Sequence, residues 1–431
     1  MKKYLIILTV LLSCAVEAVA NDDYWLIQSK QTSQNLSSCE FTDTLNGWIA
    51  GDSGLIINTR NNGLNWEPQF TGITNNIIEL FFLNGNIGYA LAWVLDATPP
   101  NYYGTKIITT KNGGQNWSVT MFPDSNVFLN TVFFRDSLNG YLAGSGGKLY
   151  YTSDGGAEWL LAPIDSGMDF GFPVNKISFY DENYGIGVGG AIDIAGVVWK
   201  STNGGRSWRT IVVGPEPIND FLFLDKNNAI GVGGDFEYGS SQINSYNMGA
   251  NWLYEEFQVF GIANTISYRT PQEGWISLGI VDSFLVTTNG GQNWDLTGTP
   301  QQSNIYDIAF SSSRNGWAVG NNGVILKYNS ELVGIADDIN SVNPNNFILH
   351  QNYPNPFNPK TVINYELQGT GNAKLKVFDV LGNEVAELVN EKQNAGSYSV
   401  EFDGSGFASG IYFYKLTAGE FSETKRMVLL K

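Results

Sequence analysis

Reactive side chains are scarce in this chain. Its 431 residues include one histidine, His350, and two cysteines, Cys14 and Cys39. A histidine-based triad, or a zinc site built from histidine and cysteine, would have to be assembled from almost nothing. Cationic residues are also few, 24 Lys and Arg against 41 Asp and Glu. The resulting formal charge of −17 disfavours a polyanionic partner, because nucleic-acid affinity rests on Lys and Arg displacing counterions. No nucleic-acid partner is expected, and no catalytic residue, metal or cofactor is assigned. Aromatic residues are the opposite case. Twenty-five Phe, 21 Tyr and 12 Trp are too many for a disordered, solvated chain. Every Trp falls between Trp25 and Trp317, so the composition changes in kind near residue 335.

Residues 1–20 have the make-up of a secretory signal peptide. Lys2 and Lys3 form a basic start, residues 4–12 an apolar run, and Ala18-Val19-Ala20 a small-residue cleavage pattern. The run is too short to span a bilayer, so no transmembrane span is expected. Cleavage after Ala20 is the favoured reading; the alternative is lipidation at Cys14, because Leu11-Leu12-Ser13-Cys14 is similar to a lipoprotein box. Cleavage after Ala20 leaves Cys39 as the single cysteine, so packing rather than an internal disulfide must hold the exported chain.

The body repeats one unit. An octet with Ser or Thr first, Asn or Asp third, Gly fifth and Trp eighth recurs six times, ending at Trp66, Trp117, Trp159, Trp208, Trp252 and Trp294. Upstream of it stands a Gly-aromatic-small-small-Gly element, as in Gly47-Trp48-Ile49-Ala50-Gly51 and Gly316-Trp317-Ala318-Val319-Gly320. Six octets and a degenerate seventh unit ending at Lys327-Tyr328-Asn329 give seven units of about 40–45 residues, the length of a four-stranded propeller blade. Unit seven lacks its last strand, and Tyr24-Trp25-Leu26-Ile27 is expected to supply it and close the ring without a free sheet edge. Within the octet, Asn or Asp should bond its own downstream backbone, Gly should supply a positive φ, and Trp should pack beside the next blade.

Such octets are the Asp-box pattern. The composite at residues 46–66 is most similar to photosystem II assembly and stability factors and their non-photosynthetic relatives, a resemblance that covers about residues 22–335. It implies a seven-bladed β-propeller and says little about function, since one scaffold hosts many roles. A sialidase would need three arginines converging on a carboxylate. Outside the octets and the C-terminal module this chain offers Arg135, Arg269 and Arg314, all at the same turn position, with Arg209 directly after an octet.

From residue 347 the text changes to short alternating strands about ten residues apart with Gly or Asn turns, the pattern of a small Ig-like β-sandwich. Asn352-Tyr353-Pro354-Asn355-Pro356-Phe357-Asn358-Pro359 and Phe378-Asp379-Val380-Leu381-Gly382-Asn383-Glu384-Val385 closely resemble the type A C-terminal sorting domain of the type IX secretion system. That resemblance implies recognition of residues 347–431 by the type IX machinery, and a protein that is secreted or attached to the outer-membrane surface. The expected organisation is a signal peptide at 1–20, a propeller at 21–335, a linker at 336–346 and the sorting sandwich at 347–431. The fold class is all-β throughout.

Octet turns are nearly constant in length, so variation collects on the opposite face, where strands b and c and successive blades are joined. Residues 93–106 form an insertion between strands b and c of unit two, carrying Trp93, Asp96, Tyr102 and Tyr103. The connection at 160–173 carries Phe170 and Phe172, and unit five inserts Asp235, Phe236 and Tyr238. Aromatic rings beside carboxylates suit sugar stacking or a protein partner. The expected function is an exported binding or scaffold propeller with a surface glycan or protein as ligand. The alternative is an extracellular glycoside hydrolase of the Asp-box type, whose carboxylate pair would meet only in space.

Overall fold

The computed structural model describes residues 24–96, 102–167, 171–329 and most of 348–430. The predicted signal peptide and the linker at 336–346 lie outside the described residues. Internal contacts divide the chain into two units, with the division after Asn329.

Seven sheets make up the first unit. In the first, strand a is Leu36–Phe41, b is Gly47–Gly51, c is Ile56–Thr59 and d is Glu67–Gln69, each antiparallel to the one before. Five further sheets follow over residues 77–121, 129–161, 174–214, 218–256 and 265–298. Strand a of each blade packs against strand a of the next, and the last, Ile305–Ser312, packs against the first, Leu36–Phe41. The ring is therefore closed. Its last sheet joins Ile305–Ser312, Asn315–Gly320 and Ile325–Tyr328 to an N-terminal strand, Trp25–Ile27, with Trp25 opposite Tyr328 and Ile27 opposite Leu326. That seam is the one expected from the sequence.

Every described octet turn uses the same bonds. In the first, Asn65 N–H donates to Asn61 Oδ1 at 3.0 Å and Gly63 N–H donates to Thr59 Oγ1 at 2.9 Å. The same pair of bonds recurs at Asn112 and Thr110, and at Asn289 and Thr287. Gly63 has φ +73°, and a Cβ there would collide with the Trp317 ring of blade 7. The fifth-place glycine thus answers to both backbone and space.

The octet tryptophan packs differently from expectation. It turns back onto the preceding blade. Trp66 meets its own Phe41 edge-on (88° between ring planes) and Trp317 of blade 7 (87°), while Phe41 and Trp317 stack at 5°. One blade on, Trp48 of blade 1 stacks on Phe82 at 3.7 Å and Trp117 stands edge-on to Phe82. Tyr89, Phe134 and Trp159 repeat the triad, as do Tyr141, Phe179 and Trp208. The reason is the turn itself: its two consecutive positive-φ residues curl the eighth residue over strand a of its own blade, where the neighbour's strand-b aromatic already lies. Space for the strand-a ring comes from the glycine that opens strand b, because a Cβ on Gly47 would collide with Phe41.

Two connections are more ordered than expected. The insertion at 93–106 lengthens a hairpin, Gly88–Asp96 against Tyr102–Thr110, with Trp93 paired to Thr105. Within 160–173, Leu160–Leu161 is strand d of blade 3, and Ile164–Ser166 adds a fifth, parallel strand to the outer edge of blade 4. The added strand covers an edge that would otherwise be open.

The second unit has two sheets. One orders Ile348–Leu349, Lys360–Leu367 and Gly396–Asp403; the other orders Glu384–Gln393, Gly371–Phe378, Gly410–Ala418 and Phe421–Leu429. Ile363, Tyr365, Leu375, Val377, Tyr414, Leu416 and Met427 fill the layer between them.

The seam gives a direct test. Trp25 is buried against Trp275, Phe284, Phe310 and Tyr328, taking the place that an octet tryptophan holds elsewhere. Trp25→Ala is expected to lower unfolding stability by about 3–5 kcal/mol in urea titration. The exposed neighbour Leu26→Ala should cost less than about 1 kcal/mol.

Candidate functional site

The structure treats the residues picked out from the sequence unequally. Phe170 and the side chains of Asp96 and Tyr102 lie outside the described residues. Trp93 points inward: its Nε1–H donates to the Leu129 carbonyl at 2.8 Å and its ring rests edge-on against Phe128. Tyr103 is half-buried on the same hairpin. Phe172 is half-buried against the core between blades 3 and 4. Asp235 is buried and shapes its own turn, Oδ1 accepting from Glu237 N–H at 3.0 Å and Tyr238 N–H at 2.7 Å. Phe236 and Tyr238, between the strands that this turn joins, stand 51% and 56% exposed.

Around that turn the fold gathers residues that no local pattern singled out. Asp193 sits in the b–c turn of blade 4, and Glu216 in the connection from blade 4 to blade 5. Together with Asp235 they place carboxylate oxygens within 4.8 Å of one another, the one such acidic or metal-ligating trio among the described residues. Glu216 Oε2 accepts from Asp193 N–H at 3.1 Å, and Asp193 holds φ +59°. Burial first, then Asp235, Asp193 and Glu237, push the Glu216 carboxyl above the ordinary range. Three carboxylates are the hard oxygen donors that a calcium ion takes. Ile192 (57% exposed), Ile194 (65%), Phe236 and Tyr238 are the exposed apolar side chains of these two turns.

A second constellation lines the central channel. Strand registers align one position in all seven blades: Ser38, Glu79, Thr131, Lys176, Asp220, Thr265 and Asp307. Several of these bond across blade boundaries. Ser38 Oγ accepts from Leu80 N–H, Asp220 Oδ2 from Ile266 N–H and Thr265 Oγ1–H, and Asp307 Oδ2 from Cys39 N–H at 2.8 Å. Lys176 Nζ meets Glu79 Oε1 at 2.8 Å across the lumen, with 37% of the lysine side chain still exposed. Two residues further along strand a, the ring reads Glu40, Phe81, Phe133, Ser178, Leu222, Ser267 and Ala309. Desolvation pushes Glu40 up to about 8 and Glu79 up to about 7, against the pull of Lys176 and with Asp307 adding to the rise. Burial opposes charge on Lys176, yet Glu79, Asp220 and Asp307 outweigh it and hold the ammonium above its usual range. The sequence signal for this site was a polar residue two positions after the first apolar residue of strand a in six of the seven blades, with Thr265 at the matching register in blade 6.

The arginines do not converge. Arg135 donates to the Glu182 carbonyl of the next blade at 2.6 Å, and Arg269 to the Ser313 carbonyl at 2.6 Å while pairing with Glu273. They tie adjacent a–b turns together. No helix of the described residues is long and apolar enough to cross a membrane.

Comparison with known proteins follows the same division. Residues 109–217 and 223–329, about half of the chain, match the family described as photosynthesis system II assembly factor YCF48. Residues 351–430 match the secretion system C-terminal sorting domain. Among curated relatives, the photosystem II assembly lipoprotein Ycf48 of Synechocystis is 38% identical over 66 residues, 15% of this chain and 19% of that protein. The match thus spans about a fifth of that relative's length. Two solved structures share the propeller fold over 72% of this chain and 99% of theirs, each at a TM-score of 0.57. They are YCF48 bound to D1 peptide, 20% identical, and YCF48 from Cyanidioschyzon merolae, 18% identical.

The raised carboxyls of the channel predict a pH dependence. A carboxyl whose folded pKa exceeds its unfolded value of about 4.3 is fully stabilising only below that value, and its contribution is lost as pH rises through the folded pKa. Unfolding stability is therefore expected to decline from about pH 5 to about pH 8, through the ionisation of Glu79 and then Glu40. Glu40→Gln should remove more than half of that decline in chemical denaturation series. An unchanged pH profile would show that Glu40 is ionised without penalty.

Proposed function

The chain belongs to the photosynthesis system II assembly factor YCF48 family and ends in a type IX sorting domain, and from this we propose an exported propeller that holds a protein partner on its b–c face. Secretion follows from the sorting domain. The observation that carries the binding reading is the exposed apolar group Ile192, Ile194, Phe236 and Tyr238 set around the Asp193–Glu216–Asp235 carboxylates. Aromatic rings alone would suit a sugar, but two β-branched aliphatic side chains offer no flat platform for one. An apolar patch with acidic groups among it suits a protein segment that carries both apolar and cationic residues. A solved propeller of the same family has a peptide bound, a precedent for this class of ligand.

Two experiments test the proposal. Deleting residues 347–431 should leave the propeller unexported in a type IX-competent host, while the full chain reaches the surface or the medium. Phe236→Ala with Tyr238→Ala should weaken capture of the purified protein by its own cell-surface fraction at least about tenfold, with an unchanged unfolding midpoint. Equal capture by the double variant removes this face as the binding site. Polysaccharide hydrolysis by the pure protein would replace the binding reading with that of a glycosidase.

A further inference from the structure

The channel mouth on the octet side encloses a cavity of about 400 Å³, a small-molecule volume, lined by five different blades. Glu79 and Lys176 form its floor and Glu40 stands on its wall. Phe81, Phe133, Tyr180 and Phe223 contribute the aromatic surface. Phe81 and Phe133 lie 5.4 Å apart at 57°, and Tyr180 meets Phe223 edge-on at 5.7 Å. This site is on the opposite end of the channel from the b–c face and is independent of any partner bound there.

Four carboxylates face this part of the channel, and three of them are satisfied. Glu79 is paired with Lys176. Asp220 accepts from Phe221 N–H, Ile266 N–H and Thr265 Oγ1–H; Asp307 accepts from Cys39 N–H and Ile308 N–H. Glu40 forms no salt bridge and accepts no hydrogen bond among the described residues, Lys176 acting on it only at longer range, and it shares its ring with two phenyl groups. One ammonium, Lys176, serves four acids, and Glu79 already holds it. An unpartnered carboxyl beside aromatic faces is the wall chemistry that recognises an organic cation, one group supplying the charge and the other the quadrupole.

We propose that this cavity binds a small organic ammonium ion bearing an apolar arm, its charged head between Glu40 and the faces of Phe81 and Phe133. Binding selects the ionised form of Glu40, which burial otherwise holds protonated up to about pH 8, so uptake of the cation releases a proton. Lys176, Asp307 and Glu79 are the other charged groups acting on Glu40, and Lys176 stays protonated throughout this range.

The test compares phenethylammonium with its neutral isostere 2-phenylethanol on the full mature protein, by ligand-observed NMR or calorimetry. At about pH 8 the ammonium is expected to bind at least about tenfold tighter than the alcohol. That preference should shrink at about pH 5.5, where Glu40 is protonated. Glu40→Gln should abolish the preference while leaving the weak affinity for the alcohol intact. Equal binding of the two probes by the wild-type protein, or no binding of either at millimolar concentration, overturns the proposal without reference to any variant. Retention of the preference in Glu40→Gln overturns the role of this carboxyl.

Discussion

The packing of aromatic rings at the blade boundaries is the interaction on which the rest of the molecule depends. At four boundaries a strand-b ring of one blade lies flat on the strand-a ring of the next, and the octet tryptophan of that next blade closes edge-on against it; Ile186 and Ile230 take the strand-b place after blades 4 and 5. Aromatic pairs of this geometry contribute about 0.5–1.5 kcal/mol each beyond their buried area. The glycines of the repeat are explained by it. One clears room for the strand-a ring, and another lets the turn backbone approach the neighbour's indole. At the seam, where the repeat has no octet, Trp25 comes from the other end of the described propeller and fills the same position.

Because the boundaries are sealed by aromatic contact, the polar residues of strand a are free to line the lumen. They form a second, inner set of ties, with Ser38, Asp220 and Asp307 each accepting a hydrogen bond from the following blade's strand a. Burial first, and then the neighbouring acids, raise the Glu40 and Glu79 carboxyls against the pull of the one lysine. A channel held together this way is rigid at its rim and electrostatically frustrated at its centre, which is the condition under which a lumen can prefer a cationic guest.

The two faces of the ring are chemically distinct for a mechanical reason. Octet turns on one face are constrained by their own hydrogen bonds and by the neighbouring blade, so their composition hardly varies. The b–c turns on the other face carry no such constraint. That is where the long hairpin at 88–110 and the acidic turns of blades 4 and 5 are found.

Much of this was legible beforehand. The octet spacing announced the blades, the missing last strand announced the role of Trp25, and the turn from tryptophan-rich repeats to short alternating strands announced the second unit. Each of these is a local pattern, and local patterns survive without tertiary knowledge. The direction in which the octet tryptophan packs was not readable, because a period in sequence does not say which neighbour a curled turn will face. Nor could the sequence sort one candidate site residue from another, although it named Asp235, Phe236 and Tyr238. Trp93 and Phe236 look alike as exposed aromatics in an insertion, yet one hydrogen-bonds inward to Leu129 and the other stands in solvent. Asp193, Glu216 and Asp235 come from three separate connections, and Cys39 meets Asp307 from 268 positions away. The sequence by itself determined the repeat, its turns, its closure and its export module, since these rest on backbone propensity and periodicity. Only the tertiary structure decided which charges face one another, since ring closure sets those distances and no span of chain encodes them.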